Sequence, residues 1–169
     1  MQKVIAEGNF LVKTIVISGS HSNIGKTSVA EVMLSSLNGW SGLKVTTVKE
    51  KSGCERGSNC TVCSELKDDF DIITDKKIIN EKNTDTARMK SSGAKKVVWL
   101  KANTSGLKQG LKKALYCLRG SKGVVIEGTS VLKYINPDLA IYLKDGATRP
   151  KPSAKQTEKK ADIVYDINR

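Results

Sequence analysis

Short apolar runs rich in β-branched residues alternate with amphipathic segments along this chain. Lys13–Ser18 (KTIVIS) is the first run, and its near-continuous apolar character predicts a strand buried on both faces. A helix is predicted from about Gly25 to Leu37, with Val29, Met33 and Leu37 four apart on one face, Ala30 and Leu34 beside them, and Asn38-Gly39 as its stop. Leu43–Lys49 (LKVTTVK) reads as a second strand, Phe70–Thr74 as a short one, Thr84–Ser92 as a helix closed by Gly93, and Lys96–Leu100 (KVVWL) as a further strand. Gly106–Leu118 puts Leu107, Leu111, Leu115 and Leu118 on one side of a helix. Gly123–Glu127 (GVVIE) reads as a buried strand, Ser130–Ile135 as a short helix halted by Asn136-Pro137, and Leu139–Leu143 (LAIYL) as a strand. A turn-rich loop over Asp145–Pro152, a polar helix over Ser153–Lys160 and a strand at Ile163–Tyr165 follow. Strand–helix alternation predicts an α/β fold, a mostly parallel sheet with helices on both faces. Ligands of such sheets bind beyond the carboxyl ends of the strands. No repeat or linker interrupts 1–169, so one domain is expected.

Between the first strand and the first helix lies Gly19-Ser20-His21-Ser22-Asn23-Ile24-Gly25-Lys26-Thr27, followed by Ser28. A loop in that position aims successive backbone N–H groups at an anion, and the helix N-terminus adds the positive end of its dipole. Gly25 lets the backbone approach phosphates, Lys26 can reach the β- and γ-phosphates, and the Thr27 hydroxyl suits Mg²⁺. These are the features of a P-loop, so a P-loop NTPase fold is expected, with Gly19 to Ser28 contacting the nucleotide. The spacing is shifted, because Ser20 stands where the usual first glycine would be and Gly19 lies one residue earlier. Glu127, at the tip of GVVIE, is placed to join Thr27 in holding Mg²⁺. Asp85 opens the helix in NTDTAR, where it either caps the helix or faces the metal or an attacking water. Lys26, Asp85 and Glu127 form the expected catalytic set. Arg88, one turn after Asp85, and Lys49, at the end of strand two, are further candidate phosphate contacts. His21 is the only histidine and has no Ser/Asp constellation around it, so it is expected to shape the loop rather than to act as a catalytic base.

Charge narrows the choice of partner. The net charge of +12, from 29 Lys/Arg against 17 Asp/Glu, favours polyanionic ligands such as nucleotides. With no aromatic RNA-binding motif and no long basic helix, nucleic acid is an unlikely partner. No run approaches the roughly 18 apolar residues of a membrane helix. The start, MQKVIAEGNF, lacks the apolar core of a signal peptide. A cytoplasmic protein with reduced thiols is therefore expected. Cys54, Cys60 and Cys63 fall in a loop over 51–67 at a spacing that suits Zn²⁺ or an iron–sulfur cluster, one ligand short of a closed site. Cys117 sits on a helix expected to pack on the core. It reads as structural, while remaining one candidate for the fourth ligand beside an oxygen, a substrate or a dimer mate. Plain reduced thiols, redox pairing and direct contact with a molybdenum species are the other readings of the cysteine loop.

Taken in order, KTIVISGSHSNIGKT, VTTVKE, NTDTARMKSSGAKKVVWL and VVIEGTS resemble the molybdopterin-guanine dinucleotide biosynthesis protein B family. Lys26, Thr27, Lys49, Asp85, Thr86, Arg88, Gly93, Ala94, Glu127 and Gly128 fit that family's positions in sequence order, and the resemblance spans roughly Lys13 to Asp145. It implies a GTP-binding accessory protein of molybdenum cofactor maturation, with Mg²⁺ and weak GTPase activity. It also implies a homodimer that cooperates with the guanylyltransferase attaching GMP to molybdopterin. The chain departs from the family after strand two, where histidines give way to KEKSGCERGSNCTVC, and it has no clear Asn-Lys-x-Asp motif for guanine. TEKKAD, residues 157–162, stands about where a base-binding loop is expected. ATP stays open, because dethiobiotin synthetase and the cobyrinic acid diamide synthases share the loop spacing. The alternatives are an ATP-dependent ligase of the dethiobiotin synthetase type and a nucleotide-gated metal or iron–sulfur carrier using Cys54, Cys60 and Cys63.

Overall fold

The computed structural model describes residues 12–48, 66, 68–146 and 152–168. Seven strands, β1 (Lys13–Gly19), β2 (Ser41–Thr47), β3 (Phe70–Ile73), β4 (Val97–Ala102), β5 (Gly123–Glu127), β6 (Leu139–Lys144) and β7 (Ile163–Asp166), form one sheet in the order β3-β4-β2-β5-β1-β6-β7. Every neighbouring pair is parallel except β3 with β4. The helices are α1 (Lys26–Ser36), α2 (Lys76–Ile79), α3 (Asp85–Ser91), α4 (Leu107–Cys117) and α5 (Pro152–Glu158), with a 3-10 turn at Thr129–Lys133. Among the described residues no helix is long and apolar enough to cross a membrane.

Side chains alternate across the sheet, and each face has its own core. Val16, Leu43, Val45, Val98, Leu100, Val124 and Ile126 pack with Leu107, Leu111, Ala114, Leu115 and Leu118 on the α4 side. Ile15, Ile17, Val97, Val125, Ile141 and Leu143 pack with Ala30 and Leu34 of α1 and Met89 of α3 on the other. Burying an aliphatic side chain of this size stabilises the fold by about 1.5–3 kcal/mol. The expected α/β class, mostly parallel sheet and two helical layers are what the chain forms.

Several local expectations need correction. β2 runs from Ser41 to Thr47 rather than from Leu43 to Lys49, because Ser41 and Gly42 already pair with Val124 and Val125. Lys49 lies outside the described residues, as do Cys54, Cys60 and Cys63. The inward line of α1 is Thr27, Ala30 and Leu34, while Val29, Met33 and Leu37 are only partly buried. The small Ala30 faces the sheet where the larger apolar stripe was expected to. Cys117 is exposed rather than structural. It follows the inward Leu115 by two residues, which is about 200° around a helix. One helix went unread: α2 is a single turn, too short to show a period, capped by Asp75 accepting from Lys77 N at 2.7 Å. The segment expected as a helix over Ser130–Ile135 is the 3-10 turn at Thr129–Lys133.

Gly123 opens β5 against the face of Trp40. A Cβ there would lie 2.5 Å from the indole ring, which has no flexible end to swing aside. Gly123→Ala is therefore expected to lower stability by about 1–3 kcal/mol in urea unfolding. An unchanged midpoint would show that Trp40 is not held against β5.

Candidate functional site

The Gly19–Thr27 loop leaves the carboxyl end of β1 and enters α1. Gly19 fits because a Cβ would stand 2.7 Å from Ile24 Cγ2 and 3.2 Å from Leu143 O. Ile24 plugs the loop into the core at 3% exposure, and Ser20 N donates to Leu143 O at 2.9 Å. Gly25 has space for a side chain but holds φ at 94°, the left-handed region where an L residue is strained. Asn23, at φ 65°, is a residue type that tolerates the same region. Ser22 and Asn23 are exposed, as is Ser28 one turn on. His21 does shape the loop: Nδ1 lies 2.9 Å from Ser20 Oγ, and Nε2 lies 3.5 Å from Asp145 Oδ2. Lys26 folds back so that Nζ donates to His21 O at 2.6 Å. Burial lowers the Lys26 pKa, opposed by the charge of Glu127, reinforced by that of Lys44, and opposed again by Asp85.

Behind the loop, four side chains close a ring. Thr27 Oγ1 lies 3.0 Å from both Asp85 Oδ1 and Glu127 Oε2. Its single proton serves one carboxylate at a time. Lys44 Nζ donates at 2.5 Å to Asp85 Oδ2 and at 2.5 Å to Glu127 Oε1. Each carboxylate thereby faces the ammonium with one oxygen and the Thr27 hydroxyl with the other. The backbone dictates the arrangement. Lys44 and Glu127 are register partners on adjacent parallel strands, Thr27 sits in the first turn of α1, and Asp85 is the first residue of α3. Glu127 is 2% exposed, so it is not a surface glutamate. Nor is Asp85 the cap of its helix: Thr84 fills that role, accepting from Ala87 N at 3.2 Å, which leaves Asp85 to face the ring. Burial raises the Asp85 pKa, but the Lys44 bond and charge, the Thr27 hydroxyl and the Arg88 charge outweigh it and hold the carboxyl below its ordinary range.

Other candidates fall elsewhere. Arg88 donates to Glu31 through Nε at 3.1 Å and Nη2 at 2.6 Å, and to Ser28 Oγ at 3.1 Å, so its guanidinium ties α3 to α1 rather than standing open to an anion. The Glu31 hydrogen bond is the main cause raising its pKa. TEKKAD runs away from the ligand edge: Glu158 still accepts from Lys144 Nζ, on the last residue of β6, at 2.8 Å, but the end of the segment does not reach that edge. Asp162 precedes β7 at the amino ends of the strands, and its carboxylate accepts from Ala140 N at 2.7 Å. Lys44 was not anticipated. A lysine between Leu43 and Val45 in a central strand was the available signal, since period-2 alternation places it on the face opposite those two core residues.

A scan of protein-family models and searches of curated proteins and solved structures return no match. The chemistry of the site therefore stands on its own geometry. Hard oxygen donors converge beside a lysine and the N-terminus of an eleven-residue helix, a setting suited to a divalent cation next to an anion.

Glu127→Leu is expected to lower stability by about 1–3 kcal/mol, because it leaves the Lys44 ammonium with Asp85 as its one carboxylate partner in the ring. Adding Lys44→Met should recover part of that loss; additive losses in urea unfolding would show that the two side chains are not coupled. Asp85 gives a pH signature. Its folded pKa is depressed, so its contribution to stability is full above about pH 4 and fades as pH falls through the folded value. Asp85→Asn should flatten that part of the stability–pH curve, and an identical acid limb would contradict the pairing.

Proposed function

We propose that this chain binds a nucleoside triphosphate with Mg²⁺ through Gly19–Ser28, in the manner of a P-loop NTPase that hydrolyses slowly. The observation that carries this reading is the convergence of Thr27, Asp85 and Glu127 at the start of α1, within one turn of Lys26 and of the left-handed Gly25. The oxygen donors fit Mg²⁺. Thr27 and Glu127 would hold it with Asp85 beside them, and its charge would offset that of the β- and γ-phosphates. Lys26 is suited to serve: its ammonium donates to a neutral carbonyl, His21 O, and an anionic phosphate is the stronger partner. The negative charge of a phosphate would also oppose the effect of burial that lowers its pKa. Asp85 is the most exposed member of the ring, with 41% of its side chain accessible, and is therefore the group best placed to orient a water.

For the physiological role, we favour a GTP-binding accessory protein of molybdenum cofactor maturation, acting as a homodimer with a guanylyltransferase. The support is the ordered resemblance from Lys13 to Asp145. Within it, Gly93 ends α3 at φ 101° and Ala94 is buried behind it, so both residues have a local structural reason to be there.

Calorimetry with Mg²⁺ and either GTP or ATP tests the reading. The unaltered protein is expected to bind GTP, and Lys26→Ala to weaken binding by about ten- to a hundredfold. Binding of neither nucleotide would overturn the proposal. Binding of ATP alone would keep the phosphate loop and overturn the molybdenum role.

A further inference from the structure

Lys44 stands apart from everything assigned above to nucleotide contact. Its ammonium bonds one oxygen of each ring carboxylate at 2.5 Å, and the Thr27 hydroxyl lies 3.0 Å from the other two, donating to one at a time. A cation that is to bind both Asp85 and Glu127 therefore meets an ammonium already placed between them. Lys44 is held there from below. Its Cα is paired with that of Glu127 across the sheet, and its flanking residues Leu43 and Val45 are anchored in the opposite core. The Lys44 side chain is 18% exposed, against 2% for Glu127, so it is the more accessible of the two partners.

We propose that Lys44 is a tethered counter-cation that competes with the divalent ion for Asp85 and Glu127. It neutralises the two carboxylates when the site holds no metal, and metal entry requires its ammonium to leave them. The proposal rests on the Mg²⁺ reading of the ring and adds a regulatory element to it: metal affinity in the absence of nucleotide is kept low by an internal competitor. Incoming phosphates supply a second acceptor for the displaced ammonium, which couples metal binding to nucleotide binding. The physical basis is charge. A divalent ion a few ångströms from an ammonium is repelled, while the same ion beside two unneutralised carboxylates is attracted.

The test is Mn²⁺ binding to the nucleotide-free protein, followed by electron paramagnetic resonance. Lys44→Met is expected to tighten Mn²⁺ binding by about tenfold or more, since a unit positive charge is removed from beside the ion. Lys44→Gln, which can still hydrogen-bond both carboxylates, is expected to fall between the two and serves if the methionine variant does not fold. In calorimetry, the enhancement of Mn²⁺ affinity by GTP should shrink in both variants. Unchanged or weaker Mn²⁺ binding in the variants would overturn the proposal, since a purely structural strut would alter stability without tightening metal. Because Mn²⁺ alone is the probe, this result is independent of nucleotide: a protein that binds neither GTP nor ATP sinks the nucleotide reading, whereas an unaltered Mn²⁺ affinity in variants of a nucleotide-binding protein sinks only the role of Lys44.

Discussion

Two carboxylates brought together at a mostly buried sheet edge repel each other unless something positive or hydrogen-bonding lies between them. Asp85 and Glu127 meet under that constraint, and the structure satisfies it twice, with the Lys44 ammonium on one side and the Thr27 hydroxyl on the other. Four segments far apart in sequence thus converge on one point. Each contributes through its backbone position: the start of α1, the middle of β2, the start of α3 and the tip of β5.

The strand order makes this convergence possible. β5 runs between β1 and β2, so the tip carrying Glu127 has the loop leaving β1 on one side and Lys44 on the other. The register is fixed by the two cores. A slip of one residue in β2 would turn Leu43 and Val45 to the α1 face and Lys44 into the packing against α4, at the cost of burying an ammonium among aliphatic side chains. The apolar alternation that builds the sheet is therefore also what aims the lysine.

The fold was legible where the pattern was strong. β1, β4, β5, β6 and α4 carry continuous or periodic apolar character, and their positions follow from it to within one or two residues. Short elements were not legible, as with the single turn of α2. Two corrections share one cause: the pattern points to the larger apolar residues of α1 and to Cys117 as part of a core-packing helix, whereas burial on a helix follows angular position, so that the small Ala30 faces the sheet and Cys117 does not. The candidate site was half legible. Gly19 to Thr27, Asp85 and Glu127 announce themselves by type and position. Their mutual contacts do not, because they join segments 41 to 100 residues apart, and the Lys44–Glu127 pair depends on strand register across a separation of 83. Lys44 was hidden for the same reason: inside a strand, a lone lysine has no local motif to mark it.

The helix carrying Asp85 is the element whose placement most depends on polar contacts. With seven residues, α3 is too short to persist on its own, and its fully buried apolar contribution is Met89. Polar contacts fix it further: Asp85 accepts from Lys44 on β2, and two attachments reach α1, Asp85 to the Thr27 hydroxyl and Arg88 to Glu31 and Ser28. They lie one turn apart, so α3 is held at two points against a helix that is itself packed on the sheet through Ala30 and Leu34. The Arg88 clamp leaves α3 attached when the ring around Lys44 rearranges. It also keeps the Asp85 carboxylate within reach of Thr27 through that change. In this arrangement Arg88 touches the loop through Ser28 and steadies α3 through Glu31, so its contribution to the site is one of position.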